Sequence, residues 1–568
     1  MKRFDTARTG MVVFVAAMIL GGGSGAKADF VFGTPTQLQP PVNSSYADGI
    51  GGISADGLEL YVNSTRPGGL GDWDIWVAKR ETTDADWSVP VNLGPPVNSP
   101  GADVACSISH DGLELYFTSS QGRPGGQGGW DIWVTRRARK DADWGTPVNV
   151  GPTVNGPADD MGPWISGDGL ELYFFRGTSS GTANADIWVT RRETENDPWR
   201  APVKLGPMVN SPSINEAWPS LSADGLLLFF SDLGTRGPFR PGGRGGEDIW
   251  VTTRATTHDD WGIPRNLGHP VNSSLHEDGP ILSPDGSTLY FSRGPGGSGA
   301  FNYETFDIWQ ASILPVVDFN GDGKVDGKEV LAMAKHWGQN YQLCDIAPFA
   351  WGDGVVDVND LTVLAGYIGQ DVNDPTLIAH WALDETAGMT AADSVGENDA
   401  MVLGGAAWQP TGGTIGGALA FDGKDDLVRP GKSVLDPGAG PFSVIAWVKG
   451  GAPNRVIVSQ SSGADWLYLN QYGMLTTDLK ASGKAGKSLT SDAHVLDDQW
   501  HRVALVWDGT NRALHMDGVE VAKDTQPSLA ASSGVLHIGT GTNFSLGATT
   551  FWSGLIDDVR IYNRVVQP

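Results

Sequence analysis

Residues 109–117 read Ser-His-Asp-Gly-Leu-Glu-Leu-Tyr-Phe, and a second phrase, Asp131-Ile132-Trp133, follows after a glycine-rich stretch. The Asp-Gly pair before an apolar strand recurs in steps of 55, 57, 56 and 61 residues, at Asp56, Asp111, Asp168, Asp224 and Asp285. Asp-Ile-Trp follows each copy and starts at Asp74, Asp131, Asp186, Asp248 and Asp307. Alternating strands and tight Asp-Gly turns at a fixed period predict five copies of one β-unit.

A third phrase predicts how the copies close. Trp-x-x-Pro leading to Val-Asn occurs in four copies, starting at Trp87, Trp144, Trp199 and Trp261. The copy missing after Trp309 stands at the front, where Phe32-Gly33-Thr34-Pro35 leads to Val42-Asn43. Segments from both ends of the repeat region would therefore complete one unit, as a closed ring requires and an open solenoid does not. We predict a five-bladed β-propeller.

Composition sets the broad class. The 568 residues include 78 glycines and 18% charged residues, with a net charge of −27. This length predicts three or more domains, and the glycine content favours short strands and turns over long helices. The negative charge argues against nucleic acid or anionic lipid as the main partner. Two cysteines, Cys106 and Cys344, exclude a disulfide scaffold.

The first 28 residues have the pattern of a secretory signal peptide. Cations at the start precede the apolar run 11–20, and Ala26-Lys27-Ala28 fits a small-x-small cleavage site. The run is too short for a bilayer span of about 20 residues, and no other segment approaches that length. We expect a secreted bacterial protein, extracellular, at the cell surface or in the periplasm, without a membrane span after cleavage.

The Ser-x-Asp-Gly turns and Asp-Ile-Trp strands resemble those of the TolB-like β-propeller repeats over residues 30–314. The resemblance implies a fold and not an activity.

Every copy carries an acid six residues before the serine of its Ser-x-Asp-Gly turn. These candidate catalytic residues, called the ring acids below, are Asp48, Asp103, Asp160, Glu216 and Glu277. They lead into the strand nearest the propeller axis, so five carboxylates are expected near one mouth of the channel. Three interpretations are open: bonding to turns and neighbouring-blade amides, binding of a cation or cationic ligand, and glycoside hydrolysis.

The equivalence of the five positions argues against hydrolysis, which needs two carboxyl groups in different environments. Blade-specific acids such as Asp159 and Asp278 would break that symmetry. Glu59, Glu114 and Glu171 recur in only three copies, and we interpret them as solvated strand faces. The recurring tryptophans are interpreted as packing between blades rather than as sugar platforms.

Residues 318–329, Asp-Phe-Asn-Gly-Asp-Gly-Lys-Val-Asp-Gly-Lys-Glu, match an EF-hand calcium loop. The predicted Ca²⁺ ligands are the side chains of Asp318, Asn320, Asp322, Asp326 and Glu329 with the carbonyl of Lys324. A second, altered loop offers Asp345, Asp353, Asp357 and Asp360. Counted back from Asp360, its first and third ligand positions fall on Phe349 and Trp351, which cannot ligate through their side chains.

The two loops, each followed by one helix, resemble a type I dockerin across residues 316–371. The resemblance implies a cohesin-like protein partner. A calcium-rigidified spacer between domains is the alternative.

The C-terminal region has alternating strands without a helical period. Phrases such as Phe442-Ser443-Val444-Ile445-Ala446-Trp447 and Gly554-Leu555-Ile556-Asp557-Asp558-Val559 resemble the laminin-G-like, concanavalin A-type jelly roll. That resemblance implies carbohydrate or protein binding and one structural calcium. Its candidate ligands here are Asp393 and Asp557, with Asp422 behind them, unless Asp557 or Asp558 only caps the last strand.

We assign a signal peptide (1–28), a propeller (29–314), a dockerin-like segment (315–373) and a jelly roll (374–568), a mostly β chain with one small α segment. Three functions are considered. The first is a secreted, noncatalytic protein that binds extracellular carbohydrate or surface glycan. The second is a propeller glycoside hydrolase with accessory modules, and the third is a periplasmic propeller in a protein complex.

Overall fold

The computed structural model of the protein describes residues 30–568 except 121–122, 179–180, 234–238, 241–242, 244–245, 269, 296–305, 342, 371, 373, 375, 397, 462, 482–486 and 542–549. The predicted signal peptide lies outside the described residues. Strands dominate, as predicted, and the described residues contain two helices.

Residues Phe30 to Pro315 form five small antiparallel sheets, the blades of a propeller. Two short strands come first, β1 (Phe30–Phe32) and β2 (Thr36–Gln37). The first blade is β3 (Asp48–Ile53), β4 (Glu59–Ser64), β5 (Asp74–Lys79) and β6 (Val91–Asn92). The second is β7 (Asp103–Ile108), β8 (Glu114–Ser119), β9 (Asp131–Arg136) and β10 (Val148–Asn149).

The remaining blades repeat this order. The third is β11 (Asp159–Ile165), β12 (Glu171–Thr178), β13 (Gly181–Arg191) and β14 (Val203–Lys204). The fourth is β15 (Glu216–Leu221), β16 (Leu227–Asp232), β17 (Ile249–Thr253) and β18 (Arg265–Asn266). The fifth contributes β19 (His276–Leu282), β20 (Thr288–Gly294) and β21 (Asp307–Pro315).

Each Asp-Gly turn joins the first and second strands of a blade. In the second blade the Ser109 hydroxyl donates to the Asp111 carboxylate at 2.5 Å, and Gly112 takes φ +75°, where a side chain would be strained. The first strands of the five blades contact one another around the axis, β3 to β7 to β11 to β15 to β19 and back to β3. Apolar clusters fill the spaces between adjacent blades.

The N-terminus closes the ring, as the displaced phrase predicts. β2 pairs with β21 and supplies the outer strand of the fifth blade, while β1 pairs with the end of β21. The Asn43 side chain accepts from the Ile308 N–H at 3.0 Å and donates to the Ile308 carbonyl at 2.9 Å. Asn155 makes the same two bonds to Ile132 inside the ring. Chain closure therefore uses the same contacts that join the strands of ordinary blades.

Two short helices and their loops follow the propeller. Helix α1 (Gly327–Lys335) and helix α2 (Val358–Ala365) each begin with an aspartate N-cap in a capping box, at Asp326 and Asp357. They pack around a small core that contains Phe319, Met333 and Leu364. The two loops and helices thus share one core. We call this part of the chain, residues 316–374, the central segment.

The C-terminal domain is a sandwich of two antiparallel sheets. One sheet contains β22 (Leu377–Trp381), β25 (Ala407–Gln409), β26 (Ala418–Asp422), β28 (Phe442–Gly450), β33 (Trp500–Trp507), β34 (Asn511–Met516), β35 (Val519–Thr525) and β37 (Ser553–Tyr562). The other contains β23 (Thr390–Ala391), β24 (Ala400–Leu403), β27 (Leu427–Pro430), β29 (Val456–Gln460), β30 (Asp465–Leu469), β31 (Met474–Thr477), β32 (Leu489–His494) and β36 (Leu536–Ile538). Their inner faces form one core.

Both cysteines are free thiols and buried. Neither helix of the described residues is long and apolar enough to cross a membrane.

Candidate functional site

The ring acids stand at the first or second residue of the innermost strands, and all five are fully buried. Each forms an ion pair with an arginine of its own blade. The pairs are Asp48–Arg66 at 2.6 Å, Asp103–Arg123 at 3.0 Å, Asp160–Arg176 at 2.6 Å, Glu216–Arg240 at 2.6 Å and Glu277–Arg293 at 2.9 Å. Internal cations therefore neutralise the acids.

The pairs belong to a larger repeated unit. Each arginine lies over the ring of the Asp-Ile-Trp tryptophan of its blade, as Arg176 lies 5.0 Å from the Trp188 ring centre. Each acid also accepts from a backbone N–H just after the Val-Asn phrase, as Asp160 does from Gly156 at 2.7 Å. This geometry favours the first interpretation, in which the ring acids bond to turns and to neighbouring-blade amides.

Sequence reasoning missed these arginines because their spacing is irregular. They follow their acids by 18, 20, 16, 24 and 16 residues. The loop between the second and third strands varies in length and hides the repeat.

Replacing Asp103 by alanine is expected to lower the free energy of unfolding of the propeller by about 3–5 kcal/mol, because the Arg123 guanidinium stays buried without its carboxylate. Chemical denaturation measures this change. Asp141→Ala is the control, since Asp141 pairs with Arg139 on the surface and should change stability little. Equal effects of the two substitutions would contradict a structural role for the ring acid.

The environments of the ring acids are not identical. Burial raises the pKa of Asp160, and it raises the pKa of Glu216 to about 8, with Asp186 and Asp232 adding repulsion. Burial and the nearby Glu247 raise the pKa of Asp278 well above its usual range. The acids of the fourth and fifth blades therefore depart most from the environment that the repeats share. Asp159, the other blade-specific acid, accepts from the Trp130 N–H at 3.1 Å.

The interpretation of Glu59, Glu114 and Glu171 as solvated is wrong. They pair with arginines of the following blade, Glu59 with Arg137 at 2.7 Å, Glu114 with Arg192 at 3.7 Å and Glu171 with Arg254 at 3.3 Å. The three glutamates are well shielded because the next blade covers them.

The first loop of the central segment has the chemistry of a calcium site. Asp318 is buried and accepts from the Gly321 and Gly323 N–H groups at 2.7 and 2.8 Å. The Glu329 carboxylate accepts from Asn320 Nδ2 at 2.5 Å, while Asn320 Oδ1 is buried without a hydrogen-bond partner. Burial raises the pKa values of Asp318 and Glu329. A cation among these oxygens would stabilise the ionised carboxylates and give Asn320 Oδ1 a partner.

The remaining predicted ligands of this loop lie at its rim. Asp322 pairs with the Lys328 ammonium, and Asp326 caps helix α1 by accepting from the Lys328 N–H at 2.7 Å. Lys324 is exposed and its N–H donates to Asp322.

The second loop reaches a similar arrangement by a longer path. Asp345 accepts from the Asp353 and Gly354 N–H groups at 2.9 and 2.6 Å, as Asp318 does in the first loop. Asp360 accepts from Asp357, whose carboxylate caps helix α2. Burial and the charges of Asp360 and Asp353 raise the pKa of Asp345 to about 6. Asp345 thus occupies the place that Phe349 and Trp351 cannot fill.

Phe349 and Trp351 have a different role. Trp351 is fully buried in the apolar cluster between the fourth and fifth blades, stacked on Phe349 at 4.8 Å. Its indole N–H donates to Asp224 at 3.2 Å. Leu227 and Ile313 stand here at the positions where three other junctions have the glutamate and the arginine, and both belong to the same cluster. At this junction, apolar residues that contact Trp351 of the central segment therefore take the place of the ion pair.

The first loop is attached to the sandwich on the other side. The Gly321 carbonyl accepts from Arg560 and from the Tyr562 hydroxyl, both at 2.7 Å. The Asp318 carbonyl accepts from Arg564 at 2.7 Å, and the Asn320 carbonyl from Arg502 at 3.1 Å. Backbone carbonyls of the candidate calcium loop are thus held by side chains of the C-terminal domain.

The predicted ligands of the C-terminal domain separate into different environments. Asp557 is fully buried; its Oδ2 accepts from the Thr414 and Ile415 N–H groups at 2.7 and 3.0 Å, and its Oδ1 has no hydrogen-bond partner. Burial and the neighbouring Asp558 and Asp384 raise the pKa of Asp557 to about 6. Sequence reasoning missed Asp384, although Leu383-Asp384-Glu385 follows the first strand of the domain.

The other predicted ligands are already bonded. Asp393 accepts from the N–H groups of His380 and Asn398 at 2.9 and 3.1 Å, so hydrogen bonds fill its acceptor sites. Asp422 is exposed and pairs with Lys424 at 2.9 Å. Ligand oxygens of Asp422, Asp425 and Asp426 lie within 4.8 Å of one another, so these three acids could also hold a metal ion.

Comparison with known protein families supports the fold of the C-terminal domain. Residues 422–568 match the family model described as Concanavalin A-like lectin/glucanases superfamily, so the C-terminal domain is a laminin-G-like jelly roll. No curated protein sequence matches the chain.

Solved structures match the chain at low similarity. A Trypanosoma rangeli sialidase in complex with the inhibitor DANA is 13% identical, with 94% of this chain and 92% of that chain covered and a TM-score of 0.43. The catalytic domain of a Coprinopsis cinerea GH62 α-L-arabinofuranosidase is 14% identical over 51% of this chain and 98% of that chain, with a TM-score of 0.33.

A third similar structure is domain 4 of AbnA, a GH43 extracellular arabinanase from Geobacillus stearothermophilus, in complex with arabinotriose. It is 18% identical over 34% of this chain and 94% of that chain, with a TM-score of 0.25. At these scores and identities the similarities carry no functional argument.

Proposed function

We propose that the chain is a secreted, noncatalytic protein that binds extracellular carbohydrate, built from a propeller and a lectin-like jelly roll joined by a calcium-binding segment. The observation that carries the noncatalytic part is the ion pair of every ring acid with an arginine of its own blade. A glycoside hydrolase needs two carboxyl groups that reach the substrate with their pKa values pushed apart. The ring acids are fully buried and paired with arginines, so none of them reaches a substrate.

Carbohydrate binding is supported by the jelly roll. The family model that matches it is described as the Concanavalin A-like lectin/glucanases superfamily. The net charge of −27 disfavours nucleic acid as the alternative ligand. The match concerns the C-terminal domain, so that domain is the first place to look for the glycan.

A glycan array probed with the full chain, with and without a calcium chelator, tests the proposal. We expect selective binding to one class of extracellular polysaccharide and weaker binding after chelation. No binding to any glycan of a broad array would contradict it and would favour a propeller that acts within a protein complex.

We propose Ca²⁺ as the resident ion of the first loop, held by Asp318, Asn320, Asp322, Asp326, Glu329 and the Lys324 carbonyl. Asp345, Asp353, Asp357 and Asp360 would hold a second ion, and Asp557 with Asp384 a third. When bound, the ion supplies positive charge beside these carboxylates. The loops are anchored to both domains, which favours a rigid spacer over a free receptor for a cohesin-like partner.

Calcium uptake is predicted to fall by one site in Asp318→Ala and in Glu329→Ala, because each removes a carboxylate from the first loop. Calorimetric titration of the full chain measures the stoichiometry, with dissociation constants expected on the order of 10⁻⁴–10⁻³ M for an extracellular module. Glu193→Gln, at an exposed ion pair of the third blade, is the control and should bind calcium like the parent. Unchanged stoichiometry in both loop variants would refute the site.

A second candidate function, glycoside hydrolysis, has one observation in its favour. Glu216 has a pKa raised to about 8 and keeps Oε2 without a hydrogen-bond partner. A carboxylic acid that is neutral at pH 7 is the form that a general acid requires. Its full burial opposes this role, and an assay for hydrolysis of the glycans that the chain binds separates the two functions.

A further inference from the structure

The five junctions between adjacent blades differ at one repeated position. In three of them a glutamate from the second strand meets the arginine of the next blade, and a tyrosine two residues further on donates its hydroxyl to the same carboxylate. These bonds are Tyr61–Glu59 at 2.9 Å, Tyr116–Glu114 at 2.8 Å and Tyr173–Glu171 at 3.0 Å. A carboxylate between a tyrosine hydroxyl and a guanidinium is therefore the normal content of a junction.

The remaining two junctions lack the glutamate. Between the fourth and fifth blades the tyrosine and arginine are lost as well, and Trp351 fills the space. Between the fifth and first blades, where the ring closes, Thr288 replaces the glutamate while Tyr290 and Arg80 are kept. This junction therefore keeps the tyrosine and the arginine that bind a carboxylate elsewhere, but has no glutamate between them.

Arg80 is placed as its counterparts are. Its Nε donates to the Gly57 carbonyl at 2.7 Å, and its guanidinium lies 4.1 Å from the Trp87 ring centre, as Arg137 donates to Gly112 and lies over Trp144. Among the described residues, neither the terminal nitrogens of Arg80 nor the Tyr290 hydroxyl has a hydrogen-bond partner. The charge of Arg80 acts on Tyr290 and opposes the rise that burial causes in the pKa of that tyrosine.

A cleft of about 1110 Å³ opens at this junction, and we call it the seam cleft. Arg80, Tyr290, Trp87 and Thr288 line it together with Asp56 and Asp285. Its volume slightly exceeds the range of typical small-molecule sites, about 300–1,000 Å³. At the position of Thr288, the other three junctions with an arginine have a glutamate. At the position of Thr83, one of them has the longer Lys140 side chain.

The charges around the seam cleft restrict its ligand. Asp56 pairs with Lys140 at 2.6 Å, and Asp285 accepts from the hydroxyls of Ser283 and Ser287 at 2.6 and 2.8 Å. Asp84 and Asp86 are exposed at the rim. These acids repel polyanions, and their oxygens are acceptors for ligand hydroxyls. A ligand with one negative group near Arg80 and several hydroxyl groups elsewhere would therefore match the residues that line the cleft.

We propose that the seam cleft binds a saccharide with a single carboxylate, a uronate residue, whose carboxylate lies between the Arg80 guanidinium and the Tyr290 hydroxyl. The saccharide part rests on the proposed function, whereas the carboxylate part rests on the junction geometry alone. Arg80 and Tyr290 then hold the ligand as Arg137 and Tyr61 hold Glu59.

Ligand-observed NMR titrations of the full chain with methyl β-D-glucuronide, methyl β-D-glucoside and propionate test the proposal. The glucuronide should bind more tightly than either of the other two. Arg80→Gln should weaken glucuronide binding by about tenfold or more, since a hydrogen-bonded charge is lost. Arg139→Gln, an exposed arginine of the second blade, is the control and should leave the affinity unchanged.

Thr288→Glu is the sharper variant because it supplies the missing carboxylate within the chain. It should abolish glucuronide binding and raise the melting temperature by about 2 °C or more, so that misfolding does not explain the loss. Glucuronide binding that survives in both Arg80→Gln and Thr288→Glu would overturn the proposal, as would no binding by the parent. Propionate binding as tight as that of the glucuronide would overturn the saccharide part, and glycan-array binding would still test the proposed function separately.

Discussion

A chain that begins at Ser44 is expected to lose the folded propeller and to aggregate. The truncation removes β1, β2 and Asn43, so the third strand of the fifth blade, β21, loses its outer partners and exposes unpaired N–H and carbonyl groups. It also removes Phe32 from the cluster that seats Trp351. Light scattering and the thermal unfolding transition measure the effect.

Point variants separate ring closure from the loss of chain length. Asn43 and Asn155 each make two bonds to an Asp-Ile-Trp strand, but Asn43 does so across 265 residues of sequence and Asn155 across 23. Asn43→Ala and Asn155→Ala should lower the free energy of unfolding of the propeller by about the same amount, because each removes two hydrogen bonds to the third strand of a blade. A truncated chain that stays monomeric and melts like the parent would falsify closure through the N-terminus.

Replacing Trp351 by alanine is expected to detach the central segment from the propeller. The substitution removes a fully buried indole, its stacking on Phe349 and its hydrogen bond to Asp224. Loss of a buried tryptophan typically costs about 3–5 kcal/mol. We expect new protease cleavage within residues 340–356 and a lower melting temperature for the propeller.

Trp337→Ala is the matched control. Trp337 follows helix α1 and is about half exposed, so its loss should change neither cleavage nor melting. If Trp351→Ala is cleaved no faster than Trp337→Ala, the contact between the central segment and the propeller does not hold the two together.

The repeats predict the fold because three spaced phrases occur in every copy. The Asp-Gly turn, the Asp-Ile-Trp strand and the Val-Asn phrase each form backbone contacts that are the same in all blades, so periodicity in sequence becomes periodicity in structure. The displaced copy at Phe32 predicts ring closure for the same reason. The calcium loops are predicted by ligand spacing, and their occupancy stays a prediction.

The interactions that the sequence hid depend on residues outside the period. Arg66 and Arg240 follow their ring acids at different distances because the intervening loops differ in length. Glu59 has the pattern of a solvated strand residue, and only the neighbouring blade reveals Arg137 beside it. Trp351 cannot serve as a ligand in the loop alignment, and the apolar site that it fills includes residues as distant in sequence as Phe32 and Asp224.

The measurement that tests the account most directly is the release of reducing ends from the glycans that the chain binds, with the parent and Glu216→Gln compared at the same concentration. We predict binding by both proteins and no release by either above the uncatalysed rate, because each ring acid is buried against an arginine. Steady release by the parent that Glu216→Gln abolishes without loss of binding would contradict it and identify the propeller as a glycoside hydrolase.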